Sequence, residues 1–213
     1  MNQIATNETI PNTCLQSLRD PDFVRENVYI GLQRASDMPL IKRPGMLEGT
    51  EQYLYVRGTG DGTSWRARLK ELPLHGLDLT EQEAWECAAA NTSAAGMTVI
   101  DSLPQLLTSI TGVDMPEDTE CGLRMYVLTN PQRAFGSAQL TDTATIRRYF
   151  RTRLPGCKKL VVIPSSVHEC ILVPVPEGTS VDLEDFHAMV REVNATLVDE
   201  SEQLGDTCQI MEI

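Results

Sequence analysis

The sequence predicts an α+β fold, with mixed, mainly antiparallel sheets and helices packed on one face. Two observations lead there. Apolar runs of strand length, rich in Val, Ile, Leu and Tyr, recur along the chain and are joined by Gly-, Pro- or Ser-bearing turns. Helical periodicity appears in fewer segments, and in each half a helix follows a pair of strands joined by a turn. A length of 213 residues permits one large domain or two small ones sharing a core.

Taken in order, residues 1–24 are polar and are expected to be only partly ordered. A first half, 25–113, opens on a strand over Val28–Leu32, after a turn-like Asp20-Pro21-Asp22. The Pro- and Gly-bearing stretch from Met38 to Gly49 reads as irregular. A hairpin follows, Tyr53–Val56 against Trp65–Leu69, across Gly58-Thr59-Gly60-Asp61-Gly62, whose glycines tolerate positive φ. Thr80 and Glu83 stand three apart as a capping box, so a helix is expected from there. A second helix is expected over Asp101–Ile110, with Leu103, Leu106, Leu107 and Ile110 on one face and Pro104 in its first turn.

Residues 114–122 are acidic, aperiodic and contain proline, which marks them as a linker between halves. The second half, 123–213, begins with a strand at Met125–Leu128, and Gly136–Leu140 is expected to return beside it. Thr141 or Asp142 caps a helix reaching Leu154, which Pro155-Gly156 stops. Strands Leu160–Ile163 and Val167–Val175 are expected across a Pro164-Ser165-Ser166 turn. An amphipathic helix over Asp182–Thr196 and a short strand around Cys208–Ile210 complete the chain. Each half runs strand, turn, strand, then Asp-Leu and a helix ending near Asn, an echo compatible with duplication.

The formal net charge is −12, from 18 Lys and Arg against 30 Asp and Glu. Such a charge favours solubility and argues against direct nucleic-acid binding and against anionic membrane surfaces. No run approaches the roughly 20 apolar residues of a membrane span, and the opening residues lack a basic start followed by an apolar run. A cytoplasmic location is therefore expected. The cysteines at 14, 87, 121, 157, 170 and 208 form no Cys-X-X-Cys pair and are expected to be free thiols. The sequence shows no cofactor motif and no metal-ligand spacing, so neither a cofactor nor a metal is expected. Gly58-X-Gly60-X-Gly62 joins two strands, whereas a dinucleotide loop joins a strand to a helix.

Two constellations carry candidate contacts. Ser165, Ser166, His168 and Glu169 bring hydrolase residue types within five positions. On an extended segment His168 and Glu169 face opposite ways, so Glu169 is not placed to orient His168. The chain also lacks a Gly-X-Ser-X-Gly elbow. The four residues are therefore read as a turn that contacts backbone, a ligand or a partner rather than as a catalytic set. The second constellation is Arg147, Arg148 and Arg151, which share a helix side in an acid-free stretch that also holds Arg153, Lys158 and Lys159. They are candidates for contact with an anion or an acidic partner, set against a solvated face paired with the acidic C-terminal helix.

Several strings in the second half resemble a known family: Met125-Tyr126-Val127-Leu128-Thr129-Asn130, the Pro-Ser-Ser-X-His-Glu element at 164–169, Ile171-Leu172-Val173-Pro174, and Met189-Val190-Arg191-Glu192-Val193-Asn194. The family resembled is a bacterial one, widespread in gut clostridia and known only as a domain of unknown function. The resemblance extends over residues 25–210 and implies an intracellular α+β protein with no assigned activity. It also implies a further N-terminal segment in other members, so functions housed there are not expected of this sequence.

The functional expectation is a non-enzymatic binding or regulatory module with a protein partner, an accessory role of the kind mobile elements carry. Self-association stays open. Two alternatives stand beside it: an acidic, nucleic-acid-mimicking inhibitor of a nuclease or other nucleic-acid enzyme, and a small serine hydrolase using Ser166 and His168.

Overall fold

The computed structural model describes residues 12–60, 62–70, 74, 76–114 and 124–213, with side chains from Leu15 onward. The opening eleven residues of the expected N-terminal segment, and all but Asp114 of the acidic linker, lie outside the described residues. The chain runs α1 (Asn12–Ser17), α2 (Pro21–Asn27), β1 (Val28–Arg34), β2 (Lys42–Pro44), β3 (Thr50–Gly60), β4 (Thr63–Arg68), α3 (Glu81–Thr92), β5 (Val99–Ser102) and α4 (Leu103–Thr111). There follow β6 (Tyr126–Thr129), a 3-10 turn (Gly136–Thr141), α5 (Thr143–Arg153), β7 (Lys159–Ser166), β8 (Glu169–Val175), α6 (Glu184–Thr196), a second 3-10 turn (Glu200–Glu202) and β9 (Gln209–Glu212).

The fold is α+β, built on two open sheets in which every recorded strand pairing is antiparallel. In the first, β1 lies along one side of β3, from Val28 opposite Val56 to Arg34 opposite Thr50. The other side of β3 is shared by β2, at its start, and β4, at its end. The second sheet has the order β5-β6-β8-β7-β9. Its strand β5 precedes the acidic stretch, yet it pairs with β6 beyond it.

One apolar core joins the sheets. Ile30, Leu54 and Val56 of the first and Leu128, Leu160 and Leu172 of the second belong to it, with Ile146 and Phe150 of α5. The alternation of β3 decides what faces this core: Leu54 and Val56 point into it, so Tyr53, Tyr55 and Arg57 point the other way. Tyr53 lies so close to β1 that a Cβ on Gly31 would sit 2.4 Å from its ring, so only glycine permits the approach.

The helices form where capping allows. Thr80 Oγ1 accepts from the Glu83 N–H at 3.2 Å and Glu83 Oε2 accepts from the Thr80 N–H at 2.8 Å, the expected reciprocal cap of α3. Asp142 caps α5 through the Thr145 N–H at 3.1 Å. Four readings are corrected. Asp20-Pro21-Asp22 is not a turn but the start of α2, because the Asp20 carboxylate accepts from the N–H groups of Asp22 and Phe23 and Pro21 needs no donor there. The stretch Met38–Gly49 is not wholly irregular, since Lys42–Pro44 pairs with β3. The expected helix at Asp101 begins two residues later, because Val99–Ser102 is a strand whose last residue caps α4. Gly136–Leu140 is a 3-10 turn rather than a strand.

Cys87, Cys157, Cys170 and Cys208 are free thiols. Among the described residues, no helix is long and apolar enough to cross a membrane.

Candidate functional site

The hairpin carrying His168 differs from its expected form. Strand β7 continues through Pro164, Ser165 and Ser166 with a register shift after Ile163, and the turn is Val167-His168. His168 is therefore not on an extended segment, and the opposite-face argument about Glu169 does not apply to it. What decides its chemistry is its partners. Nδ1 accepts from the Phe135 N–H at 3.0 Å, which requires an unprotonated Nδ1 and puts the ring proton on Nε2. Nε2 faces Glu202 Oε1 at 3.2 Å. Both ring nitrogens are thus engaged. The Ser166 hydroxyl is nearly buried and accepts from the His168 backbone N–H at 3.1 Å rather than bonding the ring. Ser165 and Glu169 are half-buried. The four residues share one hairpin, but no serine hydroxyl, imidazole and carboxylate are aligned as nucleophile, base and orienting acid.

The hairpin instead organises the strand ends around it. The His168 carbonyl accepts from the Gly136 N–H and from Thr129 Oγ1, both at 2.9 Å. Ser137 Oγ donates to the Val167 carbonyl at 2.8 Å. Gly136 is buried there so tightly that a Cβ would meet Thr129 Oγ1 at 2.4 Å and the Asn130 backbone nitrogen at 2.6 Å. These contacts hold Phe135, a non-glycine residue at φ 54°, in the left-handed region. The His168 ring tilts against that of Phe135, with centroids 5.0 Å apart.

Phe135 leads to a site that motif reading missed. Its ring lies 3.5 Å from the Arg66 guanidinium, and Tyr55 lies 3.6 Å from the same guanidinium. Arg66 Nη2 donates to the Tyr53 hydroxyl at 2.7 Å, while its Nε is buried with no acceptor. Burial pulls the Arg66 guanidinium down from its ordinary value; the Tyr53 and Tyr55 hydroxyls oppose this and Arg68 adds to it. Burial likewise pushes the Tyr55 hydroxyl up. Arg57 lies 4.0 Å over Tyr29 and Arg68 5.1 Å over Tyr53. The outward face of the first sheet is therefore two layers, tyrosines on the backbone and arginines laid upon them. Arg57 donates to Gln132 at 3.3 Å and Arg68 to the Met38 sulfur at 3.6 Å. Among the described residues none of the three has a carboxylate partner. Glu51, which lies on the same face of β3, is held by Lys42 at 3.0 Å and Gln33 at 2.8 Å.

The signal was present in the sequence as Tyr53-X-Tyr55-X-Arg57 and Arg66-X-Arg68, a period of two on paired strands. Phe135 gave none, because its place depends on a backbone conformation that phenylalanine rarely adopts.

Arg147, Arg148 and Arg151 are all exposed on α5. Arg148 donates to Thr145 Oγ1 at 3.1 Å, and among the described residues no ion pair links this stripe to the acidic helix α6. There Glu184 pairs with Arg191 of its own helix at 2.8 Å. Among the described residues no three His, Cys, Asp or Glu side chains form a set that could hold a metal ion.

No curated protein and no solved structure matches the chain. A protein-family model does match, over residues 53–211, which take in most of β3, Arg57, Arg66 and Arg68, and the His168 hairpin. The chain belongs to the Family of unknown function (DUF5688).

Proposed function

We propose that the protein is a non-enzymatic, cytoplasmic binding module that recognises an anionic ligand or partner through the arginine face of its first sheet. The observation that carries this reading is the guanidinium trio of Arg57, Arg66 and Arg68, laid on aromatic rings and without carboxylate partners among the described residues. A chain with twelve more acids than bases has counter-ions in surplus, yet among the described residues none is paired with these arginines. The commitment of both His168 nitrogens supports binding over hydrolysis, because a serine needs a ring nitrogen free to take its proton. Four free thiols are in keeping with a reducing compartment.

The test is binding of the full chain to an immobilised acidic peptide over a salt series. Binding should weaken as salt rises and be abolished by Arg57→Glu with Arg68→Glu. Covalent labelling of Ser165 or Ser166 by a fluorophosphonate, lost in His168→Ala, would establish hydrolase chemistry and end this reading.

A further inference from the structure

We infer that Arg57, Arg66 and Arg68 form the binding site for a phosphomonoester dianion, an inference that rests on the anion-binding reading above and narrows it to one chemistry. The charge count is the first argument. Arg57 and Arg66 are Cα partners across β3 and β4, and Arg68 follows Arg66 on the same face. Like charges directly opposite one another destabilise a sheet, and partial burial strengthens the repulsion by lowering the effective dielectric. A single carboxylate leaves two of three charges uncompensated, whereas a dianion leaves one.

Geometry is the second argument. The guanidinium carbons of Arg57 and Arg66 lie 3.5–4.0 Å from ring centroids, and a guanidinium held against a ring leaves edge N–H donors for bidentate contact with phosphate oxygens. Each arginine has five such donors, and among the described residues the only side-chain acceptors are the Tyr53 hydroxyl for Arg66, Gln132 for Arg57 and the Met38 sulfur for Arg68. The buried Nε of Arg66 has no acceptor among the described residues, so the Tyr53 hydroxyl does not satisfy every donor of this guanidinium. Stacking also removes rotamer freedom during folding, so less is lost when a ligand arrives.

The same layering argues against a nucleobase platform. Base stacking needs open aromatic faces, but Tyr53 and Tyr55 are 1% and 5% exposed beneath the arginines. His168 enters as a positioning residue: it holds the Phe135 amide, and the Phe135 ring closes one side of the Arg66 sandwich.

The experiment is calorimetric titration of the full chain with four probes: inorganic phosphate, a short Gly-Ser peptide bearing one phosphoserine, the same peptide with glutamate at that position, and a single-stranded oligonucleotide. The phosphoserine peptide should bind roughly tenfold or more tightly than the glutamate peptide. Arg57→Gln and Arg68→Gln should each weaken phosphate binding by about tenfold or more. Arg66→Lys keeps the charge but loses the fork, and should weaken it as well. If Arg66→Lys fails to fold, the two glutamine variants carry the test. Inorganic phosphate binding as tightly as the phosphopeptide supports a free phosphate compound as ligand; tighter phosphopeptide binding supports a phosphorylated chain. Equal affinity for the glutamate peptide overturns the phosphate assignment and leaves the anion reading standing. Failure of every probe overturns both. Preference for the oligonucleotide overturns the monoester in favour of a phosphodiester backbone.

Discussion

Replacing His168 with alanine separates a structural histidine from a catalytic one. The change removes the acceptor of the Phe135 N–H and a ring contact at 5.0 Å. A partly buried amide left without an acceptor costs about 1–2 kcal/mol, and the lost ring contact adds about 0.5–1 kcal/mol. The Glu202 contact contributes little, because that side chain is 45% exposed and solvent screens it. The sum is about 2 kcal/mol, or a fall in Tm of about 4–8 °C for a chain of this size. Phe135 makes the hydrogen bond necessary, since φ 54° is unfavourable for a residue with a side chain. Urea unfolding and thermal melting measure the loss. His168→Asn places an amide oxygen near the position of Nδ1 and should recover about half of the stability. A variant that melts like the wild type while losing a hydrolytic turnover would refute the structural role.

Gly136→Ala forces a Cβ to within 2.6 Å of backbone and should destabilise the fold by roughly 3 kcal/mol or more, read by urea unfolding. Thr80→Ala removes the hydroxyl that accepts from the Glu83 amide and should cost about 1 kcal/mol in the same assay. Burial pushes the Cys170 thiol up to about 12, so iodoacetamide at neutral pH should modify Cys170 only after denaturation, as mapped by mass spectrometry. Burial pushes the Glu51 carboxyl up, but hydrogen bonds from Gln33, Lys42 and Ser36 outweigh it and hold the group below its ordinary 4.5. A lowered folded value means that this contribution is present above pH 4.5 and fades as pH falls through the lower, folded value. Glu51→Gln should therefore show a smaller loss of stability than wild type on acidification below pH 4.5.

Elements whose determinants are local were legible. The Thr80 and Glu83 pair fixes the start of α3, and Asp142 fixes that of α5. The β3–β4 hairpin lies where the glycines mark it, although Gly58, Thr59 and Gly60 stay in β3, paired with Trp65, Ser64 and Thr63, instead of forming the expected loop. Elements set by distant contacts were not. Pro164-Ser165-Ser166 has turn-like composition, yet these residues remain in a strand because Ser166 finds Glu169 as its ladder partner and Val167 bonds the Glu202 carbonyl. Gly136–Leu140 has strand-like content, but its first amides are claimed by the carbonyls of the β7–β8 turn. The apolar stripe of α4 was read correctly as helical, but periodicity does not say what covers it, and Ile110 is 71% exposed. The functional face was half legible. Period-two arginines and tyrosines were visible in the sequence, whereas the layering of one upon the other needs the register of three strands and a phenylalanine from the far sheet's connection.

Amide and guanidinium NMR shifts of the isotopically labelled full chain, recorded as phosphoserine peptide is added, test most directly where the ligand goes. Saturable shifts of Arg57, Arg66 and Arg68 side-chain signals, together with the Phe135 amide, are the predicted result. Shifts confined to Ser165, Ser166 and Glu169, with the arginines unmoved, would contradict it.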